Sequence, residues 1–274
     1  MSKKSKSVIC RHPSCRRNSV TLRFGQLKNP PRPALNWSQA VTATAFLGAA
    51  LGILGGCGQK PAQDNFFPLD EGRTWTYRVV KNLDEADEPS VDTLAFSALG
   101  AQDVDGKPAL RRHSDNGVDY WFRNDESGVY RVASKNPLEK ELKTDNPPRY
   151  VLKRPHVVGA QWEANTVAYI LQRKNEVPKE IRYTHKPVMM TYRIDALAQK
   201  IETPAGAFEG CIKVVGEAKI KLYVDALFSW RDMPLFSTEW YCPGVGLVRV
   251  ERVEKSPSRT LRGGTLVLDL TQWR

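Results

Sequence analysis

Leu54-Gly55-Gly56-Cys57 is the segment of this 274-residue chain whose residue types and spacing carry the plainest chemistry. A thiol placed behind two small residues and an apolar one, at the end of a long uncharged run, is the pattern of a lipobox. There the cysteine sulfur takes a diacylglyceryl group, a peptidase cuts before it, and the freed amine takes an acyl chain such as palmitate. Gly55 and Gly56 leave room for the scissile bond in a protease cleft, although Ala or Ser is commoner than Gly55, and Leu54 fills the apolar position three before the cysteine. The run from Ala40 to Gly56 is uncharged over 17 residues, short of the roughly 20 that a bilayer-spanning helix needs. Its Gly-rich end is also a poor helix former. Lipidation at Cys57 is therefore the favoured reading, with an uncleaved membrane anchor second and a buried core segment third.

The charge distribution agrees. Nine of the 41 basic residues and none of the 30 acidic ones lie in residues 1–56, which leaves 32 basic against 30 acidic residues, or +2, for residues 57–274. The formal +11 of the whole chain therefore belongs to the leader, and nucleic-acid binding loses its electrostatic basis. A basic leader suits the positive-inside rule. Its length is unusual for an n-region, so either the start codon is misassigned or the leader is an extended cytoplasmic segment that is later discarded. Gly58 follows the anchor cysteine where Asp would signal inner-membrane retention, which points to a periplasm-facing protein of the outer membrane.

The remaining chemistry-bearing residues are sparse. Cys10, His12 and Cys15 cluster in the leader, where a metal site would be discarded. Cys211 and Cys242 form an even pair suited to a disulfide in an oxidising compartment; two separately buried thiols is the alternative. His113, His156 and His185 lack the spacing of a metal site, and no HExxH, CxxC, G-x-S-x-G, P-loop or dinucleotide fingerprint occurs. Asp115/Asp119 and Glu202/Glu209 read as surface acids, and Arg111-Arg112-His113 as an exposed strand with some capacity for anions. The residues nominate no catalytic group, metal or cofactor, and the expectation is a non-enzymatic protein.

The elements that would position these residues are strands. Trp75, Tyr77 and Val79 alternate with polar neighbours, the period-two pattern of a half-buried strand. Further strands are predicted over 94–99, 107–113, 118–123, 129–133, 192–201, 208–215, 218–222, 236–242 and 247–253. A loop is predicted over Ser134–Pro148, and a last hairpin around Gly263-Gly264 within Arg259–Leu270. Pro68-x3-Gly72-x2-Trp75 recurs as Pro155-x3-Gly159-x2-Trp162, a repeated way of starting a strand. No helical period persists over 12 residues. The fold class is mainly β: antiparallel strands forming a curved sheet, open barrel or sandwich, organised as a signal peptide (1–56), a lipidated tether (57–65) and one β-rich domain (66–274).

Three signatures resemble those of uncharacterised bacterial lipoproteins: Phe67-Pro68-Leu69-x2-Gly72-x2-Trp75-x-Tyr77, Thr203-Pro204-Ala205-Gly206-x-Phe208, and Pro243-Gly244-Val245-Gly246-Leu247-Val248. The resemblance implies a secreted, lipid-anchored, β-rich domain and brings no assigned chemistry. Cys242 departs from it, standing where Ala is common, which adds weight to a private bridge with Cys211. The functional expectation is a cell-envelope lipoprotein attached to the membrane through its anchor, binding an apolar ligand or a partner envelope protein on its sheet. A structural role in envelope assembly is the alternative, tested by whether the sheet has a free edge strand.

Overall fold

The structure is a computed structural model and describes residues 65–174, 186–224, 229–256, 258 and 260–274. The leader, the lipobox and Cys57 lie outside the described residues, as do Cys10, His12, Cys15 and His185. All described residues belong to the unit Gly56–Arg274.

The described residues are all β, with no helix long and apolar enough to cross a membrane. The strands are β1 (Thr74–Leu83), β2 (Ser90–Val104), β3 (Lys107–Ser114), β4 (Asp119–Asp125), β5 (Gly128–Lys135), β6 (Lys143–Lys153), β7 (Gln161–Thr166), β8 (Gln172–Arg173), β9 (Val188–Thr203), β10 (Gly206–Tyr223), β11 (Trp230–Cys242), β12 (Gly246–Glu254), β13 (Leu261–Arg262) and β14 (Gly264–Trp273). Twelve form one antiparallel sheet in the order β6-β5-β4-β3-β2-β1-β14-β12-β11-β10-β9-β7, and β8 pairs with β13 in a second, two-stranded sheet. The large sheet curls until its edges nearly meet: Arg149 Nε on β6 donates to the Asn165 carbonyl on β7 at 2.8 Å. It is a barrel-like sheet short of closure.

Two predicted connections are corrected. The segment predicted as a loop over Ser134–Pro148 contributes the end of β5 and the first half of β6. Its prolines mislead because β6 lies at the edge of the sheet, where a residue without an N–H loses no ladder bond. The hairpin predicted around Gly263-Gly264 does not form: β13 pairs with β8, while β14 pairs with β1 and β12. Gly264 is needed for close approach rather than for a turn, because a Cβ there would lie 2.1 Å from the Asn82 carbonyl oxygen.

The interior follows from strand alternation. In β7, Trp162, Ala164 and Thr166 point inward, and in β9 so do Met190, Tyr192 and Ile194. Trp162 stacks on Tyr192 with centroids 5.8 Å apart. Gly216 on β10 makes this possible, since a Cβ there would meet Met190 Sδ at 2.7 Å and Tyr192 Cε1 at 2.9 Å. The main hydrophobic cluster continues through Phe67, Phe122, Leu152, Ile212, Val214, Leu235 and Tyr241. A second cluster gathers Trp75, Tyr77, Cys211, Cys242, Val248 and Leu270. The concave face is thus occupied by the protein's own side chains.

At one end of the barrel, β10 runs past its last partner on β9 (Glu217↔Thr191) and β11 past its last on β12 (Leu235↔Glu254), leaving a two-stranded arm. Its inward residues Ile220 and Met233 share the main core with Ala168 and Leu171 of the segment after β7. That segment is held by Glu254, which is fully buried. The carboxylate accepts the backbone N–H groups of Tyr169, Ile170 and Leu171 at 2.9, 2.8 and 2.8 Å and Arg252 Nε at 3.0 Å. Arg252 in turn donates to the Val167 carbonyl at 2.9 Å. The end of the barrel is closed by a buried charge with every acceptor position in use.

Candidate functional site

The three signatures, far apart in sequence, meet at the opposite end of β11. Trp75 and Tyr77 point inward from β1 and need acceptors for their polar tips. The Pro243–Gly246 turn and the start of β12 supply them: Trp75 Nε1 donates to the Val245 carbonyl at 2.7 Å, and the Tyr77 hydroxyl to the Leu247 carbonyl at 2.9 Å. Arg73 Nη1 adds a bond to the Gly244 carbonyl at 2.9 Å. The same turn receives the start of the described chain, with Gly244 N donating to the Asn65 carbonyl at 2.8 Å. Gly246 has φ +98°, and Pro68 Cδ lies 3.2 Å from where its Cβ would sit, so glycine is required there. The Thr203–Gly206 turn is bonded to the same end through Ala205 N and the Leu270 carbonyl, 3.0 Å. Burial of Trp75 and Tyr77 pushes the Tyr77 phenol up to about 12, against a smaller opposing pull from Arg112. These residues are a scaffold that fixes where the described chain, starting at Asn65, joins the barrel.

Cys211 and Cys242 sit one step beyond the Ile212↔Tyr241 pair of β10 and β11. The structure records them as disulfide-bonded, with a Cα–Cα distance of 4.1 Å and both residues buried. The bridge pins two neighbouring strands at the end where the three signatures converge.

The Arg111-Arg112-His113 run is divided by strand alternation. Arg111 and His113 lie on the outer face, where Asp119 of β4 takes both: Arg111 Nε and Nη2 at 2.9 and 2.8 Å, and His113 Nδ1 at 2.8 Å. Burial raises the Asp119 carboxyl, but hydrogen bonds from Arg111 and His113 outweigh it and hold the group below the usual carboxylate range. Arg112 turns inward, with its guanidinium 3.8 Å from the Trp75 ring centroid, 4.8 Å from Phe67 and 5.4 Å from Phe96. Among the described residues no carboxylate pairs with it and its Nε has no acceptor. Only Arg112 departs from the exposed strand that the sequence suggests: Arg111 and His113 are part-exposed on the outer face and paired with Asp119, whereas Arg112 is buried.

The other singled-out residues are dispersed. Glu209 pairs with Lys200 at 2.6 Å on the surface, and the His156 ring packs edge-on to Phe66 with centroids 5.3 Å apart. Among the described residues no group of three His, Cys, Asp or Glu side chains is arranged to hold a metal ion. Inside the barrel, sequence reading missed a polar layer. Glu239 accepts the Ser237 and Tyr241 hydroxyls at 3.0 and 2.5 Å, and Arg131 is bidentate to Asp145 at 2.6 and 2.8 Å. Burial pushes the Tyr192 phenol up to about 12, with Glu239 adding to the effect. These groups satisfy one another, which is what structural polar networks do.

A family model described as DUF3108-like matches residues 159–264, which run from before β7 to the start of β14. Among solved structures, a "putative lipoprotein" from Parabacteroides distasonis ATCC 8503 is similar at 15% identity and TM-score 0.38, covering 76% of this chain and 98% of its own. A "putative exported protein with YmcC-like fold" from Bacteroides fragilis NCTC 9343 is similar at 14% identity and TM-score 0.34, with the same coverage. No curated protein matches the chain.

Proposed function

We propose that this chain is a non-enzymatic lipoprotein of the cell envelope, held by a lipid anchor on Cys57 at the outer membrane and facing the periplasm. The observation that carries the reading is the junction just described. Eight residues after Cys57, the Asn65 carbonyl is fixed to the Pro243–Gly246 turn. An extended tether of that length reaches about 28 Å, so an anchor holds this end of the barrel close to a bilayer and leaves the β10–β11 arm at the far end of β11. Diacylation and amide acylation together give stable attachment, at about 0.8 kcal/mol per buried CH₂.

The barrel then serves as a binding module whose ligand or partner meets its outer surface, since the inner face is filled. The edges also bear on this. Pro147 and Pro148 blunt β6, and Arg149 spans to β7, so strand addition at the sheet edge has little support. The deciding experiment is the intact mass of the protein purified from its native membrane fraction without reductant. A mass equal to residues 57–274 plus diacylglycerol and one acyl chain is expected, and Cys57→Ala should release the chain from that modification. A mass retaining Ala40–Gly56 without lipid refutes the proposal.

A further inference from the structure

Two arginines are buried among the described residues, Arg112 and Arg252, and only Arg252 has a charged partner. It donates to Glu254 and to the Val167 carbonyl. The half-buried Arg131 is likewise bidentate to Asp145. Arg112 is 6% exposed and is held by rings instead: Trp75, Phe67 and Phe96 stand 3.8, 4.8 and 5.4 Å from its guanidinium. Its cross-strand neighbours are Ala98 on β2 and Tyr120 on β4, a methyl and a phenol. Among the described residues no carboxylate pairs with it, and its Nε has no acceptor.

Aromatic faces attract the charge of a guanidinium, but they leave its N–H groups, which project in its plane as a rigid fork. Nor does an arginine shed its proton to escape the cost of burial. Burial does pull the Arg112 pKa down, against smaller upward pulls from Tyr77 and Tyr241. Those phenols are no counter-ions: burial pushes Tyr77 up to about 12 and Tyr241 well above its ordinary value, so both are neutral at neutral pH. Burial raises Tyr120 as well. The hydroxyls of Tyr77 and Tyr241 are also committed, to the Leu247 carbonyl and to Glu239. Buried charges in proteins are paired or neutralised, and no described residue does either for Arg112. Its surroundings limit what can. The interior is filled by side chains, which leaves room for an ion rather than for a chain or a ring. No second cation acts on Arg112 among the described residues, so a second negative charge would go uncompensated. We infer that Arg112 is the seat of a buried binding site for one small monovalent anion, a halide or a carboxylate of formate size, taken on its N–H edge. The inference concerns the barrel interior and does not depend on the anchor reading.

The test is titration of the full-length purified protein, in a non-ionic detergent, with sodium chloride and separately with sodium formate. Sodium gluconate, whose anion is too large for the site, holds the ionic strength constant. Melting curves and the line width of the chloride nuclear magnetic resonance signal are the readouts. At least one of the two anions should stabilise the wild type saturably, with the unfolding constant falling about tenfold at about ten times the Kd. A chloride line broadened by the protein marks a halide site, and stabilisation by formate alone marks a carboxylate site; either supports the inference. Arg112→Met exchanges the cation for an apolar chain, so it should fold at least as well as the wild type in gluconate and lose the response to both anions. Arg112→Lys keeps the charge without the planar fork and should bind about tenfold more weakly; it carries the comparison if Arg112→Met does not fold. Wild-type melting that is the same in gluconate, chloride and formate overturns the inference. So does a response that a folded Arg112 variant keeps undiminished, because the anion then sits elsewhere.

Discussion

Glu254→Ala tests whether a single buried carboxylate closes the far end of the barrel. The side chain is fully buried and is the acceptor for four donors, three of them consecutive backbone amides. Removing one partner of a buried ion pair costs about 3–5 kcal/mol, because Arg252 is left charged and without its counter-ion. Orphaned amides add about 1–3 kcal/mol each where water cannot reach them, and local opening of Tyr169–Leu171 limits the total. A loss of about 4 kcal/mol is a large share of ordinary stability, about 5–15 kcal/mol. In urea, with an m-value of about 2 kcal/mol/M, the midpoint should fall by about 2 M. Hydrogen exchange should show loss of protection at Tyr169, Ile170 and Leu171 first. Glu254→Gln keeps one acceptor oxygen but turns an NH₂ toward the amides, so it should recover under half of the lost stability. A midpoint shift below about 0.5 M in Glu254→Ala, with the amides of 169–171 still protected, would refute the latch.

Three further outcomes follow from the same geometry. Oxidised Cys211 and Cys242 predict a mass two daltons below the reduced chain, and closing a loop of 31-residue separation contributes about 3–4 kcal/mol on the chain-entropy scaling. Reduction or Cys211→Ala should lower the denaturation midpoint accordingly, and an unchanged midpoint rejects that contribution. The Asp119 carboxyl titrates lower folded than unfolded, so its stabilisation is present above about pH 4 and lost as the pH falls through the folded value. Asp119→Asn should therefore flatten the acid limb of the stability profile, and an identical limb in wild type and variant counts against the triad. Gly128 has φ +136°, and a Cβ there would lie 2.2 Å from the Leu152 carbonyl oxygen. Gly128→Ala should cost about 2 kcal/mol or more, read as a lowered melting temperature, and a neutral result would contradict the close approach of β5 to β6.

Strand alternation made much of the fold legible in advance. The inward residues Trp75, Tyr77, Trp162 and Tyr192 lie in stretches whose period-two pattern or flanking turns mark strands, because a half-buried strand needs apolar side chains on one face only. The turns at Thr203–Gly206 and Pro243–Gly246 were equally visible, since Gly206, Gly244 and Gly246 all take positive φ. The Pro-rich edge strand β6 was not legible, because a local proline signal cannot show that a segment lies at the edge of a sheet. Nor was the pairing of β13 with β8, which brings together residues nearly ninety positions apart.

By itself, the sequence determined the near neutrality of residues 57–274, the mainly β class, and the Leu54-Gly55-Gly56-Cys57 pattern on which the proposed lipid anchor rests. Each of these is a property of local residue type, charge or periodicity. Only the tertiary structure decided that Trp75 and Tyr77 are capped by the Val245 and Leu247 carbonyls, and that Arg111 and Arg112 face opposite sides of the sheet into different chemistry. It also decided that Glu254 is a buried hub for three backbone amides and Arg252. Those facts depend on register between strands, from Arg111 against Asp119, 8 positions on, to Trp75 against Val245, 170 positions on. Register is set by the summed burial of both faces, which no single segment carries.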